Sequence, residues 1–284
     1  MRRNILFALA AMLFSGVALF AADAPAGTKD IQVKSSIDGD MQPCALYVPE
    51  NYKADKAIPM VVILHSWGSD YKPSVGALNE AKRKGWIGIC ANYRGGNQGK
   101  WACASPNAVQ DIVDVVDYIC KNYTIDKKRI YLFGASGGGH MAMMMAGRHP
   151  GIWAAVSEWC GISDLGKWCE EHRKGKSLCS DKKFSQTVFD NLKAICGGVP
   201  GKNEKVDKEY FERSPINFIQ NAKDLNISFN HGKNDELVAY HHSEDAYNKL
   251  IAAGGKKAEL NLHNNQHAAD AKKAFDWFET KTKE

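Results

Sequence analysis

The sequence predicts an α/β fold with a mostly parallel central sheet and helices on both of its faces. Near-continuous apolar runs, such as residues 58–66 and 129–136, are typical of strands buried on both faces. Amphipathic segments of helical length alternate with these runs along the chain. That alternation is the order in which parallel strands are joined by crossover helices. The two observations together define the fold class.

The elements follow one another regularly over most of the chain. We predict eight strands, at residues 31–37, 43–50, 58–66, 86–93, 129–136, 152–160, 225–232 and 257–264. We predict helices at residues 74–85, at 107–123, from Gly139 onward, at 240–255 and at 267–282. Residues 161–215, rich in Lys, Glu, Gly and Cys, break this rhythm. We interpret them as a Cys-containing insertion over one end of the sheet, within a single domain of residues 23–284.

The composition is that of a globular protein, with 44% hydrophobic and 24% charged residues among 284. The net charge of +5 is spread thinly, without the basic clusters that bind nucleic acids, so we expect no nucleic-acid partner. Asp111, Asp114 and Asp117 fall three apart on one predicted helix and could form a metal-binding face. A solvated helix face is the simpler interpretation. We therefore expect no cofactor and no metal, and a monomer or homodimer.

The first 22 residues predict export. Met1-Arg2-Arg3 is basic, residues 5–20 are apolar, and small residues follow at once. This order is typical of a cleaved secretory signal peptide. The alternative is a retained membrane anchor, but the apolar stretch is shorter than the ~20 residues that a spanning helix needs. We expect a periplasmic or extracellular protein without a stable membrane span after cleavage.

Eight cysteines follow this segment. Their even number in an exported chain makes disulfides plausible, and Cys169 with Cys179 is the pair we expect first. Cys90 lies in an apolar run and Cys120 on a predicted helix, and at both positions a buried thiol would pack as a small hydrophobe. No C-x-x-C motif occurs, so the spacing does not predict a zinc site.

A candidate nucleophile lies where one buried strand passes into a helix. Residues 134–138, GASGG, fit the pattern G-x-S-x-G around Ser136. In a strand–turn–helix context this pattern places the serine on a sharp, strained turn, and only glycine tolerates the close backbone approach on either side. The alternative, a phosphate-binding loop, would end in G-K-[ST], whereas His140 and Met141 follow here.

A serine hydroxyl needs a base and an orienting acid to become nucleophilic. In proteins with such a turn the acid and then the histidine follow the serine along the chain. Asp235 follows the strand at 225–232 and is the favoured acid, with Asp164 as its rival. His267 is the favoured base because His263 falls at the end of the last strand.

Two backbone N–H groups should stabilise the oxyanion that forms during attack. Gly137, directly after the serine, is expected to supply one of them. Ser66 or Trp67, in the loop after the strand at 58–66, is expected to supply the other. His65 would then shape that loop and not act as a base.

These motifs resemble the prolyl-oligopeptidase-like and dienelactone-hydrolase-like branch of the α/β-hydrolase superfamily. The segments VVILHSWGSD, NYRGG, RIYLFGASGGGHMA, RSPINF and HGKNDELV occur in the order of that family. The resemblance implies an α/β-hydrolase fold and a triad of Ser136, Asp235 and His267. Two segments depart from the family. His65-Ser66 replaces the usual His-Gly of the oxyanion loop, and NNQHAA lacks the glycine that often precedes the catalytic histidine.

The resemblance implies a serine hydrolase that forms an acyl-enzyme. We expect a carboxylic-ester hydrolase acting on acyl or carbohydrate esters, because a chain of this length leaves no room for the propeller that full prolyl oligopeptidases carry. A serine peptidase acting on short peptides is the alternative. A third hypothesis is an inactive hydrolase fold that serves as a binding module. In each case the partner would be a small molecule or short peptide.

Overall fold

All eight predicted strands are present in the computed structural model, which describes residues 23–173 and 179–283. They form one sheet in the order β1-β2-β4-β3-β5-β6-β7-β8. The strands are β1 Lys29–Lys34, β2 Met41–Tyr47, β3 Ile58–Leu64, β4 Ile87–Ala91, β5 Ile125–Ala135, β6 Ala155–Trp159, β7 Asn226–Gly232 and β8 Ala258–His263.

The pairing makes most of the sheet parallel, as predicted. β2 runs antiparallel to both β1 and β4, and all other neighbouring pairs are parallel. The carboxyl ends of β3, β5, β6, β7 and β8 therefore meet at one edge. In open α/β sheets this is the edge at which ligands bind.

Eight α-helices are present in the described residues: α1 Leu78–Lys84, α2 Pro106–Asn122, α3 Gly137–Arg148, α4 Leu165–Glu171, α5 Lys182–Cys196, α6 Glu204–Arg213, α7 His241–Ala252 and α8 Ala271–Glu279. Most boundaries differ from the predicted ones by a few residues, and two of these differences lie next to Ser136 and His267. α3 begins at Gly137, directly after Ser136, and not at Gly139. α8 begins after its N-cap Asp270, later than predicted, and His267 lies in the loop before it, as expected for the base.

Helices cover both faces of the sheet, because apolar side chains alternate between the two sides of its strands. On one face α2, α3 and α7 pack onto residues such as Val62 and Leu132. On the other face α1 and α8 pack onto residues such as Ile63 and Phe133. This confirms the predicted fold class.

Helices α4, α5 and α6 follow β6 and precede β7 along the chain, and they form a separate apolar cluster. Its members include Trp168, Leu192 and Tyr210, and it takes in Trp67 from the loop after β3. The indoles of Trp67 and Trp168 meet edge to face, with ring centroids 5.0 Å apart. The helices thus pack against the loop that was expected to hold an oxyanion donor.

All eight cysteines are thiols in the structure, so the expected Cys169–Cys179 disulfide is not formed. The Cys169 sulfur accepts a hydrogen bond from the Tyr210 hydroxyl at 3.3 Å, and Cys179 Sγ lies 3.6 Å from the Asp181 carbonyl oxygen. Burial raises the pKa of both thiols. Both thiols therefore pack as small buried side chains with weak polar contacts, which is the arrangement expected for Cys90 and Cys120.

The predicted signal peptide, residues 1–22, lies outside the described residues. In the part of the chain that the structure describes, no helix is both long and apolar enough to cross a membrane.

The interpretation of the α2 aspartates as a solvated face is wrong for Asp111. Its side chain is buried, and its carboxylate pairs with Arg94 Nε at 2.5 Å. Asp114 accepts a hydrogen bond from the backbone N–H of Ser36 at 2.6 Å. These two carboxylates thus bind the chain segments around Ser36 and Arg94 to α2.

Candidate active site

Ser136 occupies the turn between β5 and α3. Its backbone angles are φ 58° and ψ −121°, a positive-φ conformation that non-glycine residues rarely adopt. Its N–H donates to the Trp159 carbonyl at the end of β6, at 2.8 Å. The strained residue is therefore held between two strands at the carboxyl edge of the sheet, as predicted for a nucleophile turn.

Two glycines make this turn sterically possible. A Cβ at Gly134 would collide with the carbonyl of Gly138, and a Cβ at Gly138 would collide with the carbonyl of Leu64 at the end of β3. The close backbone approach predicted from the sequence motif is thus present on both sides of the serine.

The loop after β3 reaches the start of α3. The backbone nitrogen of Trp67 lies so near Gly137 that a Cβ on this glycine would collide with it. The backbone amides of Gly137 and Trp67, two of the expected oxyanion donors, are therefore neighbours. Ser66 fixes the loop through its hydroxyl, which donates to the Ala135 carbonyl at 3.1 Å. Asn97 Nδ2 donates to the Gly137 carbonyl at 3.1 Å.

His65 shapes this loop, as expected. Its ring stacks on Tyr93 with centroids 4.1 Å apart, and the Tyr93 hydroxyl donates to the His65 carbonyl at 2.6 Å. Burial lowers the pKa of His65 to about 4, so the ring is neutral around pH 7.

Asp235 and His267 form a buried pair. His267 Nδ1 lies 2.6 Å from Asp235 Oδ2, and the two side chains are 6% and 0% exposed. The other carboxylate oxygen accepts the backbone N–H groups of Leu237 and Val238, at 2.9 and 3.0 Å. Burial alone would raise the pKa of Asp235, but hydrogen bonds from its histidine neighbours more than offset it and hold the pKa well below its usual range.

The two rival residues lie elsewhere. Asp164 caps α4, accepting the Lys167 N–H at 3.0 Å. His263 ends β8, and its ring lies beside the Trp159 indole with centroids 6.0 Å apart. Both ring nitrogens of His263 are buried without a hydrogen-bond partner among the described residues. The structure joins the favoured acid to the favoured base and leaves their rivals out.

Cys160 lies between the serine and the histidine. Its Sγ is 3.9 Å from His267 Nε2 and rests against the backbone N–H of Ser136. The atoms of Cys160, Asp235 and His267 are mutually within 4.8 Å, close enough for a metal ion. However, burial raises the pKa of Cys160 well above its usual range, and His267 Nδ1 is occupied by Asp235. We therefore assign no metal ligand here.

Sequence reasoning missed a second histidine on the same carboxylate. His231, the penultimate residue of β7, places Nε2 at 3.2 Å from Asp235 Oδ2. Its Nδ1 lies 2.7 Å from Ser243 Oγ, which in turn donates to Glu158 Oε1 at 2.6 Å. The spacing H-G-x-x-D, which puts His231 four residues before Asp235, was the one signal in the sequence that could have indicated this contact.

A strained serine after a central strand, with an Asp–His pair from the loops after later strands of the same sheet, defines an α/β hydrolase. The resemblance to the branch that contains prolyl-oligopeptidase-like and dienelactone-hydrolase-like proteins is thereby confirmed. The family model BD-FAE matches residues 44–250, and the chain belongs to this family.

Similar proteins include esterases and peptidases. The chain is 26% identical over 170 residues to the uncharacterized peptidase YtmA of Bacillus subtilis (strain 168), covering 59% of this chain and 59% of that protein. It is 28% identical over 169 residues to feruloyl esterase B of Talaromyces funiculosus, covering 55% of this chain and 47% of that protein. Each match spans less than two thirds of the relative.

Among solved structures, that of a thermostable esterase has a TM-score of 0.63 at 17% identity, covering 90% of this chain and 63% of that chain. At this identity the likeness shows the shared fold.

Proposed function

We propose that this chain is a serine hydrolase in which Ser136, His267 and Asp235 form the catalytic triad. The observation that carries the proposal is the buried 2.6 Å contact between His267 Nδ1 and Asp235 Oδ2, in a sheet whose central strand β5 leads into the strained Ser136. Because Nδ1–H donates to the carboxylate, Nε2 is the acceptor nitrogen of the neutral ring. That nitrogen faces Cys160 Sγ, against which the Ser136 amide also rests.

In the proposed reaction, Ser136 Oγ attacks the substrate carbonyl and His267 Nε2 takes the hydroxyl proton. The carbon–oxygen double bond opens to an oxyanion, and collapse of this intermediate expels the leaving group with the proton from His267. Water then attacks the acyl-enzyme, His267 takes a proton from the water, and this proton returns to Ser136 as the acid product leaves.

The oxyanion would be held by the N–H groups of Gly137 and Trp67. Gly137 begins α3, so the positive end of the helix dipole adds to its hydrogen bond. Removing one such donor typically costs about 10²–10³ in kcat. Both donors belong to the backbone, so they are fixed by the turn and by the loop that Ser66 anchors.

We propose carboxylic esters as the substrate class, including acyl and carbohydrate esters. Membership of the BD-FAE family and the similarity to a feruloyl esterase support this choice. The chain is 26% identical to a peptidase, nearly the same identity as to the esterase. This similarity supports short peptides as the alternative substrate class. Export through residues 1–22 stays a prediction from the sequence.

Two measurements test the proposal. A fluorophosphonate probe should label Ser136 and should leave Ser136→Ala unlabelled. Labelling at Ser66 or Ser157 would contradict the assignment, and a failure to label any serine would favour a binding module. The purified chain should then be assayed with p-nitrophenyl esters beside dipeptidyl chromogenic substrates. Ester turnover well above peptide turnover is expected, and the reverse would favour the peptidase.

A further inference from the structure

A buried line of polar side chains starts at Asp235. It runs through His231 and Ser243 to Glu158, with successive atoms 3.2, 2.7 and 2.6 Å apart. His231, Ser243 and Glu158 are each 0% exposed. The second oxygen of Glu158 accepts the Gly161 N–H at 3.0 Å. The line therefore joins two strands and a helix inside the molecule, out of contact with solvent.

Counting donors and acceptors fixes most hydrogens in this line. His231 Nε2 faces only acceptors, the Val238 carbonyl at 3.0 Å and the Asp235 carboxylate, so it carries a hydrogen. Ser243 has one hydroxyl proton to give. If that proton goes to an ionised Glu158, the Ser243 oxygen can only accept, and His231 Nδ1 must also carry a hydrogen. One proton is thus shared between Glu158 and His231 through Ser243.

The location of that proton determines the charge beside Asp235. Burial raises the pKa of Glu158 to about 7, which opposes its ionisation, and the positive charge of His231 acts in the opposite direction. A protonated His231 would lie between two carboxylates, directly against Asp235 and one hydroxyl away from Glu158. A neutral His231 would leave Asp235 without this cation.

The geometry points to a proton-sharing relay, Glu158–Ser243–His231, that keeps His231 doubly protonated and makes it a positioning residue for Asp235 and His267. This inference rests on the proposed triad. His231 and His267 both contact Oδ2 of Asp235, at 3.2 and 2.6 Å. A charged His231 holds the carboxylate in place and also opposes the charging of His267, because like charges at this range disfavour each other. The relay would keep His267 neutral, and so active as a base, to lower pH.

The groups around His231 are few. Glu158 approaches His231 from β6, Asp235 approaches it from the loop after β7, and His263 lies on β8. A charge on His231 interacts with all three of these side chains. His267 adds the fourth titratable group, across Asp235. The two carboxylates favour the charge on His231 and the two histidines oppose adding further charge.

The test is the pH profile of kcat/KM in three variants. His231→Gln removes the charge but keeps an amide donor, so the midpoint of the acid limb should move up by about one pH unit. Ser243→Ala cuts the relay, and Glu158→Gln removes its far carboxylate, so both should move the midpoint in the same direction. KM should change little because the side chains of His231, Ser243 and Glu158 are fully buried and so cannot contact the substrate directly.

Glu171→Gln is the matched control. Glu171 also binds a histidine, His242, at 3.1 Å across α4 and α7, and among the described residues no hydrogen bond or ion pair joins it to Asp235. It should leave the midpoint where it is. Thermal unfolding of every variant separates a shifted profile from a misfolded protein.

The charge on His231 is read directly by long-range ¹H–¹⁵N NMR of the imidazole nitrogens, with the His231 signals assigned through their loss in His231→Gln. Two protonated nitrogens at neutral pH are expected, and a neutral ring would overturn the inference. An unchanged midpoint in the folded variants would overturn it as well, while leaving the triad intact. If Ser136→Ala retained activity, the proposed function would fail instead, and the NMR result would still decide the charge of His231.

Discussion

The serine side and the histidine side of the candidate site are built in different ways. The serine side consists of residues 134–138 and the loop at 65–67, held by backbone contacts that exclude a Cβ. The histidine side consists of Asp235 and His267 with His231 behind them, held by side-chain hydrogen bonds between buried polar groups. The first is fixed by shape and the second by charge and proton placement.

Because of this difference, the two sides should respond differently to substitution. The turn at residues 134–138 depends on close backbone contacts. A substitution there therefore either removes the reacting atom or disturbs the fold. A side-chain network can be altered in steps, because a conservative polar replacement keeps some hydrogen bonds while it removes a charge.

Ser136→Ala should produce the largest effect on activity. Loss of Oγ removes the attacking atom, and kcat should fall by roughly 10⁴–10⁶ while the fold stays intact. Alanine retains a Cβ at the strained φ, so thermal unfolding should be unchanged. Stopped assays with a p-nitrophenyl ester measure the loss, and residual activity near that of the parent protein would remove Ser136 from the site.

His267→Ala should cost about as much as the loss of the serine, because the triad acts as one unit. His263→Ala is its control, since that ring lies beside Trp159 and not on Asp235. We expect the control to keep most of its kcat. A reversed pattern, with His263→Ala inactive and His267→Ala active, would make His263 the base.

Asp235→Asn should cost less than either of these changes, by about one or two decades, on the pattern seen when triads are dismantled. The asparagine side chain can still accept a hydrogen bond through its oxygen. As a neutral group it no longer stabilises the His267 imidazolium that forms during attack. Asp164→Asn is the matched control, because asparagine is as good a helix N-cap as aspartate. Equal losses in the two variants would contradict the assignment of Asp235.

The serine side was predictable from the sequence, whereas the histidine side was predictable only in part. An apolar run leading into GASGG specifies a buried strand and a tight turn through neighbouring residues alone, which is local information. Asp235 and His267 could be selected because each follows a predicted strand. Their inner partners could not, since Glu158 and Ser243 lie 85 residues apart and meet only after folding.

Charged residues were misjudged for the same reason. Asp111 sits at a spacing that indicates a solvated helix face, yet it is buried against Arg94, 17 residues away. Residue types and their spacing describe the faces of an isolated helix. They do not show which loop packs over a given face after folding. The disulfide expectation rested on cysteine number and a predicted compartment, and carried no information on sulfur positions.

Gly134→Ala should destabilise the protein because its Cβ would meet the Gly138 carbonyl, a backbone atom that cannot move away cheaply. We expect a loss of at least about 2 kcal/mol in the free energy of unfolding. Gly151→Ala is the matched control, since no heavy atom lies within 4 Å of the position of its Cβ. Its effect should stay within about 0.5 kcal/mol. Urea unfolding measures both, and equal stabilities would refute the steric account of the turn.

The stability of the histidine side should depend on pH in a defined direction. The folded-state pKa of Asp235 is depressed below the ordinary 3.8, so its ionised form contributes stability above that value. As the pH falls below about 4, the unfolded chain takes up a proton that the folded protein resists, and this contribution is lost. Asp235→Asn lacks it at every pH. The parent should therefore exceed the variant in unfolding free energy at pH 6, and the gap should narrow toward pH 3. Urea titrations at fixed pH values across this window measure the gap. A gap that is constant or grows on acidification would show that the histidines do not hold Asp235 in its charged form.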